Sequence, residues 1–154
     1  MNIDKSTFEH ITAGLVNPQK RIDALNDFAW RIQSSQPHTA LSYSLGALNE
    51  ALEVDYKLGA AKASHNAAVA SFMLSKLEDS LKFTATALNN YQEIGDKSGE
   101  ALSLVCQGNV QFRLGNYDLA LESHYFALNI FENLDDRFHQ AMCCSNIGNA
   151  FLMV

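Results

Sequence analysis

The chain has 154 residues, 47% of them apolar and 18% charged, with a formal net charge of −6 and a pI near 5.2. That length suits one compact domain or a short solenoid, and that composition builds a core and excludes a disordered chain. The acidic balance argues against nucleic acid and against an anionic membrane surface as partners.

The first segment, MNIDKSTFEH, carries no basic stretch followed by an apolar one, so no secretory signal is visible. Ser6-Thr7-Phe8-Glu9 has the Ser-x-x-Glu form of a capping box. It predicts a short helix over residues 7–15, with Phe8, Ile11 and Leu15 on one face. Residues 1–16 then read as an N-terminal cap over an array spanning 17–154. Asn17 is a fair N-cap and Pro18 suits the first helical position. The helix they start runs to about residue 34. Ser35-Gln36-Pro37 begins its partner, which runs to about 54.

Gly95-Asp96 reads as a C-terminal glycine followed by a capping aspartate. The next helix is expected over 101–114, where Leu104, Val105, Gly108 and Phe112 recur at helical spacing. Gly115-Asn116 breaks it. A second helix follows over 117–134, with Ala120, Leu121, His124, Ala127, Leu128 and Phe131 on one stripe. Asp135-Asp136 offers a turn and an N-cap for another. The longest apolar run, 67–74, is interrupted by Ser71 and is far too short to cross a bilayer. Cys106, Cys143 and Cys144 have neither metal nor redox spacing, and read as thiols kept reduced in a cytoplasmic protein.

One fixed period organises the chain. The triplet Ala-Leu-Asn occurs at 47–49, at 87–89 and at 127–129. Leu41, Leu81 and Leu121 keep the same register, as do Ala61, Ala101 and Ala141, the small set Ala68, Gly108 and Gly148, and the basic set Lys57, Lys97 and Arg137. The units fall at about 21–54, 61–94, 101–134 and a half unit at 141–154.

These columns resemble the tetratricopeptide repeat over residues 20 to 154. The third unit fits best, with Leu104, Gly108, Gly115, Tyr117, Ala120 and Ala127 at the family's positions. The fourth gives Ile147-Gly148-Asn149 and Phe151. The second carries Ala68, Ser75 and Ser80 where the family has small or glycine residues. The first departs most, with Phe28 at the usual glycine. The resemblance implies an all-α fold, a right-handed α-solenoid of antiparallel helix pairs. The period is longer than the family's usual one, and the difference is read as a second helix about one turn longer. It is similar to the long repeats of kinesin light chains and of bacterial peptide-sensing regulators. It looks most like repeat regions ahead of diguanylate cyclase, histidine kinase or nucleotide cyclase domains in bacterial signalling proteins, on the strength of Ile94-Gly95-Asp96-Lys97-Ser98-Gly99-Glu100-Ala101.

In that family the first helix of each unit lines a concave surface. The resemblance therefore assigns a protein or peptide partner to Lys62, His65, Val69, Phe72 and Met73, to Leu102, Val105, Asn109, Phe112 and Arg113, and to Met142, Ser145 and Asn149. Phe72, Phe112, Val69 and Val105 would form an apolar floor, or would pack between repeats. Asn109 and Asn149, one period apart, could grip an extended backbone, or could be no more than the common repeat residue. Asn66 matches one position of the family's carboxylate clamp, but Leu25, Ala29, Leu102 and Cys106 stand where it needs Lys, Asn and a basic pair, so a chaperone C-terminus is not expected.

No catalytic or nucleotide-binding motif is legible and no cofactor is implied. His139 with Cys143 and Cys144 has poor spacing for a metal. His124 sits on the buried stripe and reads as core. The sequence is expected to belong to a longer protein, since Ile147, Phe151 and Met153 lie on a helix without its partner. Those residues could instead pair two copies. Two functions therefore stand side by side: a peptide-binding sensor or scaffold regulating an output domain, and an oligomerisation module that dimerises such a domain.

Overall fold

The computed structural model describes residue 12 and residues 14–154. Most of the helix expected over 7–15, and with it most of the N-terminal cap, lies outside the described residues. Thr12 is helical and buried. Seven helices follow among the described residues: α1 (Pro18–Ile32), α2 (Pro37–Glu53), α3 (Lys57–Met73), α4 (Leu77–Ile94), α5 (Lys97–Arg113), α6 (Tyr117–Asn133) and α7 (Arg137–Phe151).

Most of these helices end in one way. Among the described residues those with positive φ are Asp55, Ser75, Gly95, Gly115 and Asp135, evenly spaced at half the repeat period. At each, the following amide donates back across the turn to the carbonyl five positions earlier. Tyr56 N–H reaches Ala51 O at 2.8 Å, Lys76 reaches Ser71 at 2.9 Å, Asp96 reaches Tyr91 at 2.9 Å, Asn116 reaches Gln111 at 2.9 Å and Asp136 reaches Phe131 at 3.0 Å. This left-handed closure satisfies carbonyls that a helix end would otherwise leave unpaired. Side-chain caps are used at three starts: Asn17 accepts from Lys20 N–H, Asp96 from Gly99 N–H and Asp136 from His139 N–H.

The even spacing of the turns corrects two expectations. The second helix of a unit is not a turn longer than the first: α2, α3, α5 and α6 each have 17 residues and α4 has 18. The extra length of this repeat is shared between both helices. The α5 helix also starts at Lys97, ahead of the expected 101, because Asp96 caps it.

Consecutive helices pack antiparallel. In addition α1 touches α3, α3 touches α5 and α5 touches α7, whereas among the described residues α2, α4 and α6 pack only against their chain neighbours. The fold is therefore an all-α solenoid with a close inner layer (α1, α3, α5, α7) and a splayed outer layer, and it curves toward the inner side.

The repeated columns occupy matching environments. Ala47, Ala87 and Ala127 are fully buried, Leu48, Leu88 and Leu128 half-buried, and Asn49, Asn89 and Asn129 exposed. The α3 helix is small-residue throughout (Gly59, Ala60, Ala61, Ala63, Ser64, Ala67, Ala68, Ala70 and Ser71 are all buried), so its neighbours approach it on nearly every side. At three inner glycines an aromatic ring takes the space, with Tyr56 over Gly59 as the first. A Cβ on Gly108 would sit 2.5 Å from the His124 ring, and one on Gly99 would collide with the Tyr91 ring.

Gly108→Leu and Ala127→Leu should each lower the urea midpoint by the equivalent of roughly 1–3 kcal/mol through overpacking. Ser75→Gly should raise it by about 0.5–1 kcal/mol, because the left-handed conformation at φ 58° costs any side chain that glycine lacks. Unchanged midpoints in the first two variants would refute the packing register.

Candidate binding surface on the inner helices

The inner layer is fastened by side-chain amides, among them Asn66, which the family resemblance placed at a clamp position. Asn26, Asn66, Cys106 and Asn146 fall at one register position of successive units. Asn26 Nδ2 donates to Gly59 O at 3.0 Å, and Asn66 Nδ2 donates to Asn26 O at 2.9 Å. Together they staple α1 to α3. Asn146 Nδ2 donates to Asn109 Oδ1 at 3.2 Å and joins α7 to α5. Cys106 takes a different partner, the Thr84 hydroxyl at 3.5 Å, and burial raises its thiol pKa.

The expected partner-binding residues differ in burial and in what they touch. Val105 lies in a core cluster with Ala101, Ala127, Phe131 and Cys143, so it packs and is no floor. His65 is buried. Phe72 is half-buried under the Arg113 guanidinium, 5.1 Å from its ring centre, and Arg113 Nη2 also donates to Ser75 Oγ at 3.1 Å. Phe112 meets Tyr117 edge-on at 5.5 Å. Both phenylalanines thus make contacts between helices. Asn109 is half-buried and its oxygen is taken by Asn146. Lys62 and Val69 are half-buried, while Met73, Ser145 and Asn149 are exposed.

A different group converges on the inner face. Asn26, Asp27 and Trp30 of α1, Lys62, His65 and Asn66 of α3, Tyr91 of α4 and Leu102 of α5 line a hollow of about 190 Å³. Tyr91 reaches it from the outer layer because Gly99 leaves room for its ring. Trp30 is 48% exposed and lies over the His65 ring, with centroids 5.9 Å apart and planes tilted by 31°. The equivalents of Trp30 in the later units, namely Ala70, Val110 and Ala150, are all fully buried. Asn26 Oδ1 and His65 Nδ1 are buried and find no hydrogen-bond partner among the described residues. Burial pushes the His65 imidazole down to about 4, so it is neutral at pH 7 and keeps one donor and one acceptor nitrogen. Asp27 and Lys62 bring one charge of each sign. Hollows of about 340–420 Å³ at the turns near 115–119, 75–79 and 15–18 have no buried lining residue.

Sequence reasoning missed Trp30 and the Asn column. The column was visible, since it repeats at the same interval as Ala-Leu-Asn. Trp30 was visible too, as the chain's single tryptophan standing where the other units carry Ala or Val.

His139, weighed as a metal ligand with Cys143 and Cys144, is engaged otherwise. Its Nδ1 lies 2.6 Å from Asp136 Oδ2, and its ring stacks on Phe131 at 4.8 Å. Burial first, and then its neighbour Cys144, push the Cys143 thiol up to about 11, so it stays protonated near neutrality. No helix among the described residues is long and apolar enough to cross a membrane.

No family model and no curated protein matches the chain. Among solved structures it is similar to BtubC (BKLC) from P. vanneervenii, with a TM-score of 0.83 at 18% identity. The match covers 97% of this chain and 64% of that one, so this chain spans less than two thirds of its neighbour's length. At that identity the likeness establishes the fold.

The second buried imidazole, His124, is likewise pushed down to about 4 by burial. A histidine whose folded pKa lies below its unfolded value near 6.5 stabilises the fold above 6.5 and loses that contribution as pH falls toward 4. Moving from pH 7 to pH 5 should cost about 2 kcal/mol for each of the two, read as a fall in the urea midpoint. His124→Phe, which keeps a ring over Gly108, should remove roughly half of that loss. Equal midpoints of the wild type at the two pH values would show that the rings are not held neutral.

Proposed function

We propose that the chain is a tetratricopeptide-type scaffold that holds a peptide or protein partner on its inner helix layer, anchored at the Trp30 hollow, and that it performs no catalysis itself. One observation carries this reading. A half-exposed tryptophan face borders a hollow lined by polar and charged side chains, on the side toward which the solenoid curves. Asp27 and Lys62 on the rim and the neutral His65 ring give a ligand polar groups to orient against, beside the indole face. The hollow has the size for one side chain, with Trp30 and Leu102 as apolar walls and polar groups to fix orientation. Lys62 and His65, two of the residues assigned from the family resemblance, line it.

The finer reading is a cytoplasmic input module that passes partner binding to an output domain of a bacterial signalling protein. It is supported by the resemblance of residues 94–101 and by the curvature of the array.

Trp30 is the single tryptophan, so intrinsic tryptophan fluorescence reports on this hollow alone. Peptides selected from a random displayed library should quench or shift that emission with micromolar affinity. Trp30→Ala should weaken them at least tenfold while leaving the helical circular dichroism unchanged. Selected peptides that bind Trp30→Ala as tightly as wild type would place the partner surface elsewhere.

A further inference from the structure

The outer helix α6 carries two aromatic side chains on the side away from the core. Tyr125 and Phe126 are about half-exposed, and Leu119, two turns before Phe126 on the same face, is open too. Repeat register, and not the place of α6 in the chain, turns them outward. In the two earlier units the same places hold Leu45 and Gly46 on α2, and Ala85 and Thr86 on α4. A Cβ on Gly46 would meet nothing within 4 Å. Ala85 and Thr86 are exposed with a whole repeat following them, because among the described residues α4 and α6 pack only against their chain neighbours. The Thr86 hydroxyl donates within its own helix, to Lys82 O at 3.1 Å. The array thus leaves these register positions to solvent, and the third unit fills them with rings. Aromatic side chains are the residues enriched where proteins meet.

We propose that this face docks a basic amphipathic helix of another protein. The charge around the rings selects that occupant. Glu122 lies one turn before Phe126, Asp118 two turns before Tyr125 and Glu132 two turns after it, and all three are exposed. None of them makes an ion pair among the described residues, whereas Glu50, Glu93 and Glu100 are paired with Arg21, Lys57 and Lys97. Between Arg113 and Arg137 the chain holds Asp118, Glu122, Glu132, Asp135 and Asp136 and no Lys or Arg. A helix with Lys or Arg beside an apolar stripe would set its cations against these carboxylates and its stripe against Leu119, Tyr125 and Phe126. Its cationic groups can also lie over the ring faces. A second copy of α6 would instead bring like charges together. Ile147, expected to be uncovered and to pair two copies, is buried on α7 with Cys143 and Ala150. Nucleic acid and anionic lipid are repelled by the same carboxylates. The surface is separate from the Trp30 hollow, which lies on the inner helices, and the inference is independent of it.

A displayed library of helical peptides tests it, selected on the full chain and counter-selected on the double variant Tyr125→Ala, Phe126→Thr. That variant gives α6 the residues α4 carries at the same places. Both positions face solvent, so circular dichroism should not change. The recovered peptides should be enriched in Lys and Arg beside an apolar stripe, and should bind with dissociation constants on the order of micromolar. The double variant should weaken them at least tenfold, and Glu122→Lys should weaken them roughly threefold or more. Their binding should leave Trp30 emission unchanged and should survive Trp30→Ala, which separates the outcome from that of the inner-layer reading. A selection that yields no peptide lost by the double variant overturns the proposal. So does one whose peptides are not enriched in basic residues, or bind Glu122→Lys as tightly as wild type.

Discussion

The array depends on one turn repeated at a fixed interval. Each residue of a helix is rotated by about 100° from the last, so a one-residue slip at a helix end would turn the next helix's face away from its neighbour. The left-handed closure at Asp55, Ser75, Gly95, Gly115 and Asp135 prevents that slip. The same amide-to-carbonyl bond recurs at each, so every new helix starts in the same phase. Only because the phase is kept do Ala47, Ala87 and Ala127 reach equivalent buried positions. Glycine is not required for this: three of the five turns use Asp or Ser and accept some strain.

Given that phase, facing positions can trade volume. Phe28, Ala68 and Gly108 on the inner helices each stand the same distance along the chain before Ser44, Thr84 and His124 on the outer ones. Down the array the inner residue shrinks as its outer counterpart grows. Gly108 and His124 are seen in contact, with the ring occupying the glycine's space. Phe28, which looks like a departure from the repeat pattern, packs edge-on against Tyr43 at 5.2 Å beside the fully buried Ser44. A similar exchange runs between Tyr91 over Gly99 and Phe131 stacked on His139. Large and small alternate so that the layers interdigitate, and a unit can leave the consensus without leaving the fold.

This exchange of volume explains which parts of the sequence were legible. Helix pairs, break points and buried alanines follow from periodicity, since identical residues at a fixed interval need identical surroundings. Helix lengths were less legible. The missing signal was φ, which composition reveals at Gly95 and Gly115 but hides at Asp55 and Ser75. The binding face was least legible. Family positions point to Val105 and Phe72, yet Val105 packs in the core and Phe72 lies under Arg113. A residue's place in a repeat fixes its direction, while exposure depends on its neighbours' size. On α3 and α5 the inner stripe is closed by the helices that follow, α4 and α6.

The hollow at Trp30 has the same origin in side-chain volume. The equivalent positions hold Ala70, Val110 and Ala150, which fit wholly between helices. An indole cannot, so it stands out over His65, and the inner surface acquires a wall that the other units lack. Tyr91 then enters from the outer layer because Gly99 yields space, and His65 and Asn26 are left with polar atoms that no helix satisfies. A consensus repeat would have closed this region with small side chains and paired every amide. The indole of Trp30 is therefore the feature of the inner layer with a face to offer a partner, because this departure from the pattern exposes a group where the other units bury one.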